Sequence, residues 1–104
     1  MNFQPLSPAT RMRLDAIFTV PDRDEAERIL VERCGNNLPF LEKLDSVQLE
    51  RFRFAALKIS EGTLGGLQQA VDLANRDWRD LLMAADFGHD VTEHERWWPT
   101  GHSG

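Results

Sequence analysis

Between residues 47 and 60 the apolar side chains cannot be placed on one side of a strand. Val47 and Leu49 share one parity, Phe52, Phe54 and Ala56 the other, and Leu57 and Ile59 revert to the first. A strand would have to change faces twice, whereas a helix needs no change. Placed about 100° apart per residue, Leu49, Phe52, Ala55, Ala56 and Ile59 form one broad face. Val47, Phe54 and Leu57 form a second, nearly opposite, with Arg51 and Lys58 on one flank between them and Arg53 and Ser60 on the other. A surface helix needs one apolar stripe. Two faces place this helix inside a monomer, or share it between the core and a partner chain.

The remaining segments fit around such a helix. Ser7-Pro8 is an N-cap followed by proline at the first helical position, and Met12, Leu14, Ile17 and Phe18 follow. The same stretch also alternates through Met12, Leu14, Ala16, Phe18 and Val20, but a lone strand would have no partner elsewhere. Thr19-Val20-Pro21 breaks this helix, and Asp22 stands three residues before Glu25 at capping-box spacing. Ala26, Ile29, Leu30, Arg33 and Cys34 then share one side, and Gly35 supplies a left-handed end. Asn36-Asn37-Leu38-Pro39 reads as a turn, with Asp45 or Ser46 capping the central helix. Beyond Glu61-Gly62, Thr63 caps a stripe of Leu64, Leu67, Ala70, Val71 and Ala74, and Asn75 caps one of Trp78, Leu81, Leu82 and Ala85. The two stripes stay in phase, so one continuous helix from 64 to 87 is the alternative. Thr92, three residues before Glu95, opens a last short helix that Pro99 stops.

The expected fold is therefore all-α, a compact bundle of four to six short helices at about 8–18, 22–34, 46–60, 64–74, 76–87 and 92–98. Residues 1–7 form a flexible lead, 8–99 a single helical domain and 100–104 a disordered tail.

Charge and cysteine content narrow the class. Acids and bases cancel up to Ser60, so the net charge of −5 lies wholly from Glu61 onward. Such a half repels phosphate backbones, which argues against nucleic acid as a partner. The lone Cys34 has no internal disulfide partner and fits a reducing compartment. No apolar run approaches the roughly 20 residues that span a bilayer, and the first residues lack a signal-peptide pattern. The expectation is a cytoplasmic protein without a membrane partner.

Few residues point to chemistry. His89, Glu93 and His94 are the weak metal candidates, since imidazole and carboxylate at these spacings suit zinc or another divalent ion. The histidines stand five apart without a second His/Cys pair in the body of the chain, so exposed polar groups are the plainer expectation. Cys34 sits at the wrong end of its helix for activation. Gly65-Gly66 has neither the lysine nor the spacing of a phosphate loop. Asp77 and Asp80, interleaved with Arg76 and Arg79, read as surface ion pairs. No catalytic residue, metal site or cofactor is assigned. Adjacent Trp97 and Trp98 point about 100° apart on a helix, so one ring can seal the core while the other anchors a second chain.

Arg53-Phe54-Ala55-Ala56-Leu57-Lys58-Ile59-Ser60-Glu61-Gly62, followed by Asp77-Trp78-Arg79-Asp80-Leu81-Leu82-Met83-Ala84-Ala85, resembles a recurrent pattern in short, uncharacterised bacterial proteins. The resemblance spans the middle and end of the chain. It implies a small helical bacterial protein and brings no activity or functional residue with it. The functional expectation is a non-enzymatic homodimer or protein-interaction module. Its contacts would be made through Val47, Phe54 and Leu57, or through Trp97 and Trp98. The alternative is a small metal- or ligand-binding protein using His89, Glu93 and His94.

Overall fold

In the computed structural model the chain is described at residues 5–34, 46–87, 94 and 97–99, apart from the side chains of residues 46 and 47. Among the described residues five helices follow in order: α1 Pro8–Ile17, α2 Val20–Arg33, α3 Ser46–Ser60, α4 Leu64–Arg76 and α5 Trp78–Ala84. No strand occurs among the described residues, and the chain is an all-helical bundle. The expected turn at 36–39, the Gly35 and Gly88 helix ends, and most of the segment at 92–98 lie outside the described residues. Within that last segment His94 occupies a single 3-10 position, and the Trp97 amide donates to its carbonyl at 3.0 Å.

α3 is the central element and packs against α1, α4 and α5, while α4 also packs against α2 and α5. Both faces read from the α3 sequence are buried at their described residues, apart from half-buried Ile59. Leu49, Phe52, Ala55 and Ala56 are at most 6% exposed, and Phe54 and Leu57 are at 1% and 0%. The stripes of α2 (Ala26, Ile29, Leu30, Cys34) and α4 (Leu67, Ala70, Val71, Ala74) complete the core with Leu81, Leu82, Ala85 and Phe87.

Several boundaries differ from the sequence expectation, each for a local reason. α2 begins at Val20 with Thr19 as N-cap and Pro21 within its first turn, rather than at Asp22. A proline there needs no amide partner, so it opens the second helix as well as ending the first. α4 and α5 are separate, but the break is at Asp77, which ends α4 and caps α5 by accepting from the Arg79 amide at 3.0 Å. Asn75 is not the cap. Its Nδ2 donates to the Val71 carbonyl at 2.7 Å and to the Arg33 carbonyl at 2.9 Å, tying α4 to the end of α2. α5 ends at Ala84, short of 87, where Asp86 takes a left-handed φ of 64°. Met12 lies outside the buried stripe at 58% exposure. Pro5, Leu6 and Ser7 are docked rather than loose: the Pro5 carbonyl accepts from Arg53 at 2.9 Å, and Leu6 packs on the core.

Arg53 is the largest departure. Its angular position put it on a flank, yet it is 1% exposed, donating from Nε to the Cys34 carbonyl at 3.0 Å. Burial holds its pKa below the ordinary arginine value, with Cys34 pulling weakly the other way. The same arrangement recurs across the bundle. The last carbonyls of a helix have no partner within it, and here donors from neighbouring helices supply one. Arg23 of α2 donates to Asp15 and Phe18 at the end of α1. Arg53 and Asn75 serve the end of α2. Lys58 and Arg51 of α3 donate to Ala85 and Phe87 beyond α5, Lys58 at 2.8 Å. Cations at helix C-termini also oppose the negative end of the helix dipole.

Candidate functional site

The second face of α3 is closed by α1 and by the described tail residues. Phe54 meets the His94 ring edge-on at 5.1 Å and the Trp97 ring at 6.0 Å, and the Arg13 guanidinium lies 4.2 Å from its centroid. Trp98 lies on Arg13 as well, with 4.8 Å between guanidinium and ring centroid. Arg13 Nε donates to the Trp97 carbonyl at 2.9 Å and Nη1 to the Ala9 carbonyl at 3.0 Å. One arginine therefore joins α1, α3 and the tail by hydrogen bonds and by cation–π contact. Desolvation lowers its pKa, and nearby Glu50 works against that shift.

A polar chain runs beside this stack. Ser7 Oγ caps α1 by accepting from the Thr10 amide at 3.2 Å and donates to Glu50 Oε2 at 2.8 Å. Glu50 Oε1 stands 3.3 Å from His94 Nε2. Nδ1 is buried and has no hydrogen-bond partner among the described residues. His94 is 0% exposed, contrary to the expectation of a solvated group, because the Phe54 and Phe87 rings enclose it.

Ser, Glu and His thus occur together, but in an order that does not make a nucleophile. A serine nucleophile needs an imidazole against its hydroxyl and a carboxylate behind the imidazole. Here the carboxylate is in the middle and takes the serine proton's hydrogen bond itself. The chain Ser7–Glu50–His94 is a strut linking α1, α3 and the tail. As a metal donor His94 is poorly placed, with one nitrogen on Glu50 and the other among aromatic rings. His89 and Glu93, the other two weak candidates, lie outside the described residues. Among the described residues no group of three or more His, Cys, Asp and Glu side chains could hold a metal ion. Cys34 is fully buried, and desolvation pushes its thiol up to about 12.

A cleft of about 520 Å3 opens to solvent where the ends of α1 and α3 meet the tail. Ile17, Leu57, Trp97, Trp98 and Pro99 form its apolar lining, and Lys58, Glu61 and Gly62 complete it. The volume is within the roughly 300–1,000 Å3 of typical ligand clefts. Gly62 is required at its base. It has a left-handed φ of 81°, and an added Cβ would stand 3.1 Å from both Cγ2 and the carbonyl oxygen of Ile17.

Three of the five interaction candidates from the sequence, Leu57, Trp97 and Trp98, are brought together here. Phe54 sits behind Trp97 inside the core, and the side chain of Val47 is outside the described residues. Trp97 turns inward as a core-packed ring, whereas Trp98 is 38% exposed. Sequence reasoning did not single out Arg13, Glu50, Ile17 or Glu61. Compared with known proteins, the chain matches no family model, no curated protein and no solved structure.

Proposed function

We propose that the chain is a non-enzymatic protein-interaction module that docks another polypeptide through the tryptophan cleft. The observation that carries this reading is the convergence of Trp97 and partly exposed Trp98 on one solvent-open cleft whose walls are polar and apolar in similar measure. Tryptophan in a partly preformed pocket is the residue type that most often anchors protein contacts. The partner is a second copy of the chain or a different protein. Two-fold dimers are the commonest soluble assemblies, which favours the first. Phe54, by contrast, is a core residue and reaches a partner only if the tail leaves.

The acid excess beyond Glu61 supports a protein rather than a nucleic-acid partner. No helix among the described residues is long and apolar enough to cross a membrane. A buried single thiol fits a reducing compartment such as the bacterial cytoplasm.

Two measurements test the proposal. Light scattering of the parent and of Trp98→Glu should show a dimer that becomes monomeric if the partner is a second copy. A monomeric parent sinks self-association. A photo-crosslinking amino acid placed at Trp98 should give discrete protein adducts in cells, while one at exposed Gln68 on α4 should not. No adduct at Trp98, with the parent monomeric, removes the module reading.

A further inference from the structure

We infer that α1 is the contact of a two-fold homodimer, in which Pro8, Met12 and Ala16 pack antiparallel against the same residues of a second copy. This rests on the docking reading above and deepens it by naming the partner and the surface. Among the described residues four large apolar side chains are exposed, Met12, Val20, Met83 and Trp98. Scattered exposed apolar groups are ordinary, but three of these four gather at α1. Met12 stands on it, Val20 follows three residues past its end at Ile17, and the Trp98 ring lies over its Arg13. Pro8 and Ala16, one turn before and after Met12, are exposed as well. Their four-residue spacing makes one ridge, of the kind that helices pack against each other. Thr10 and Leu14, which α1 buries in its own bundle, lie on the opposite side of the helix.

Charge favours a second copy as the occupant. The net charge of −5 lies from Glu61 onward, so copies meeting through that part of the chain would repel each other. α1 instead carries Arg11, Arg13 and Asp15. These are already engaged within the chain: Arg11 with Asp15 at 4.0 Å and Glu27 at 2.7 Å, Asp15 with Arg23 at 3.8 Å, and Arg13 with the Trp97 and Ala9 carbonyls. The ridge is therefore bordered by charges that have partners. Such a border selects neither an acidic nor a basic protein and suits a surface like itself. A two-fold axis through Met12 sets Pro8 of one copy beside Ala16 of the other and buries both methionines at the centre, with each Trp98 at the margin. Methionine adapts its shape to a contact of this kind.

The test uses the whole chain. Light scattering over a range of concentrations should show a dimer. Met12→Glu, which sets two carboxylates on the axis, should raise its dissociation constant at least about tenfold. Met12 is exposed, so the melting temperature of the dilute monomer should stay as in the parent. Met12→Cys should form a disulfide-linked dimer under mild oxidation at least about tenfold faster than Met83→Cys, a comparably exposed control on α5. Cys34 is fully buried and does not compete. A monomeric parent overturns the inference, and the crosslinking measurement at Trp98 then decides the docking reading separately. A parent dimer that survives Met12→Glu, or Met83→Cys linking as fast as Met12→Cys, overturns the α1 contact and leaves the docking reading intact.

Discussion

Phe52 and Phe54 stand two residues apart on α3, and both are buried, at 3% and 1% exposure, yet different things enclose them. Phe52 lies on the broad face and meets Trp78 of α5 edge-on at 5.7 Å. Its cover consists of whole helices, α4 and α5, packed along α3. Phe54 lies on the opposite face beneath Arg13, His94 and Trp97. Its cover is a short tail held by side chains: one arginine, a serine–glutamate–histidine strut and edge-on rings. The first face is sealed by area, the second by a few directed contacts. The solvent-open cleft lies on the second face, where single side chains rather than whole helices decide what is exposed.

The contrast can be broken by mutation. Phe52→Ala should cost the most, about 3–5 kcal/mol, in one cooperative transition followed by circular dichroism. Trp97→Ala should cost less, about 1–3 kcal/mol, and should loosen the tail before the bundle, seen as early proteolytic cleavage with helix content retained. If the two variants lose equal stability in the same transition, both faces belong to one unit and the distinction fails. Arg13→Gln removes the guanidinium stack and weakens the bond to the Trp97 carbonyl, for about 1–2 kcal/mol. Faster tail cleavage than in the parent checks it.

An effect seen only in alkali concerns the thiol of Cys34, the residue whose backbone carbonyl Arg53 holds. Its folded pKa, about 12, is raised from 9.0, so burying the neutral thiol contributes stability that is complete below pH 9. That contribution declines as pH rises from 9 through about 12. Unfolding curves should show a decline above pH 9 that Cys34→Ala lacks, and iodoacetamide should label the thiol only on unfolding.

How far these features were legible follows from what periodicity encodes. Spacing gives the direction of each side chain around its own helix, which is why both faces of α3 and the stripes of α2 and α4 were readable. Direction says nothing about what stands opposite. Arg53 pointed to a flank, and that flank turned out to hold the end of α2. His94 stood in a polar stretch, but two phenylalanines distant in sequence enclose it. Asn75 has the chemistry of a cap, yet a carbonyl of α2 lay within reach of its amide, and Asp77 two residues later took the capping role. The cleft was half visible. Leu57, Trp97 and Trp98 stood out as large apolar groups, while Ile17 and Glu61 become notable only where two helix ends converge.

The donors that cross from one helix to the last carbonyls of another have a consequence for motion. Helix ends ordinarily fray independently, so their amides exchange with solvent far faster than the centre. At the C-terminal turns of α1 and α2, and just beyond α5, fraying must break a bond to a neighbouring helix. Amide exchange in those turns should then approach the rate set by opening of the whole bundle. The N-terminal turn of α4, where Thr63 bonds to its near neighbours Ser60, Gly66 and Leu67, should exchange early.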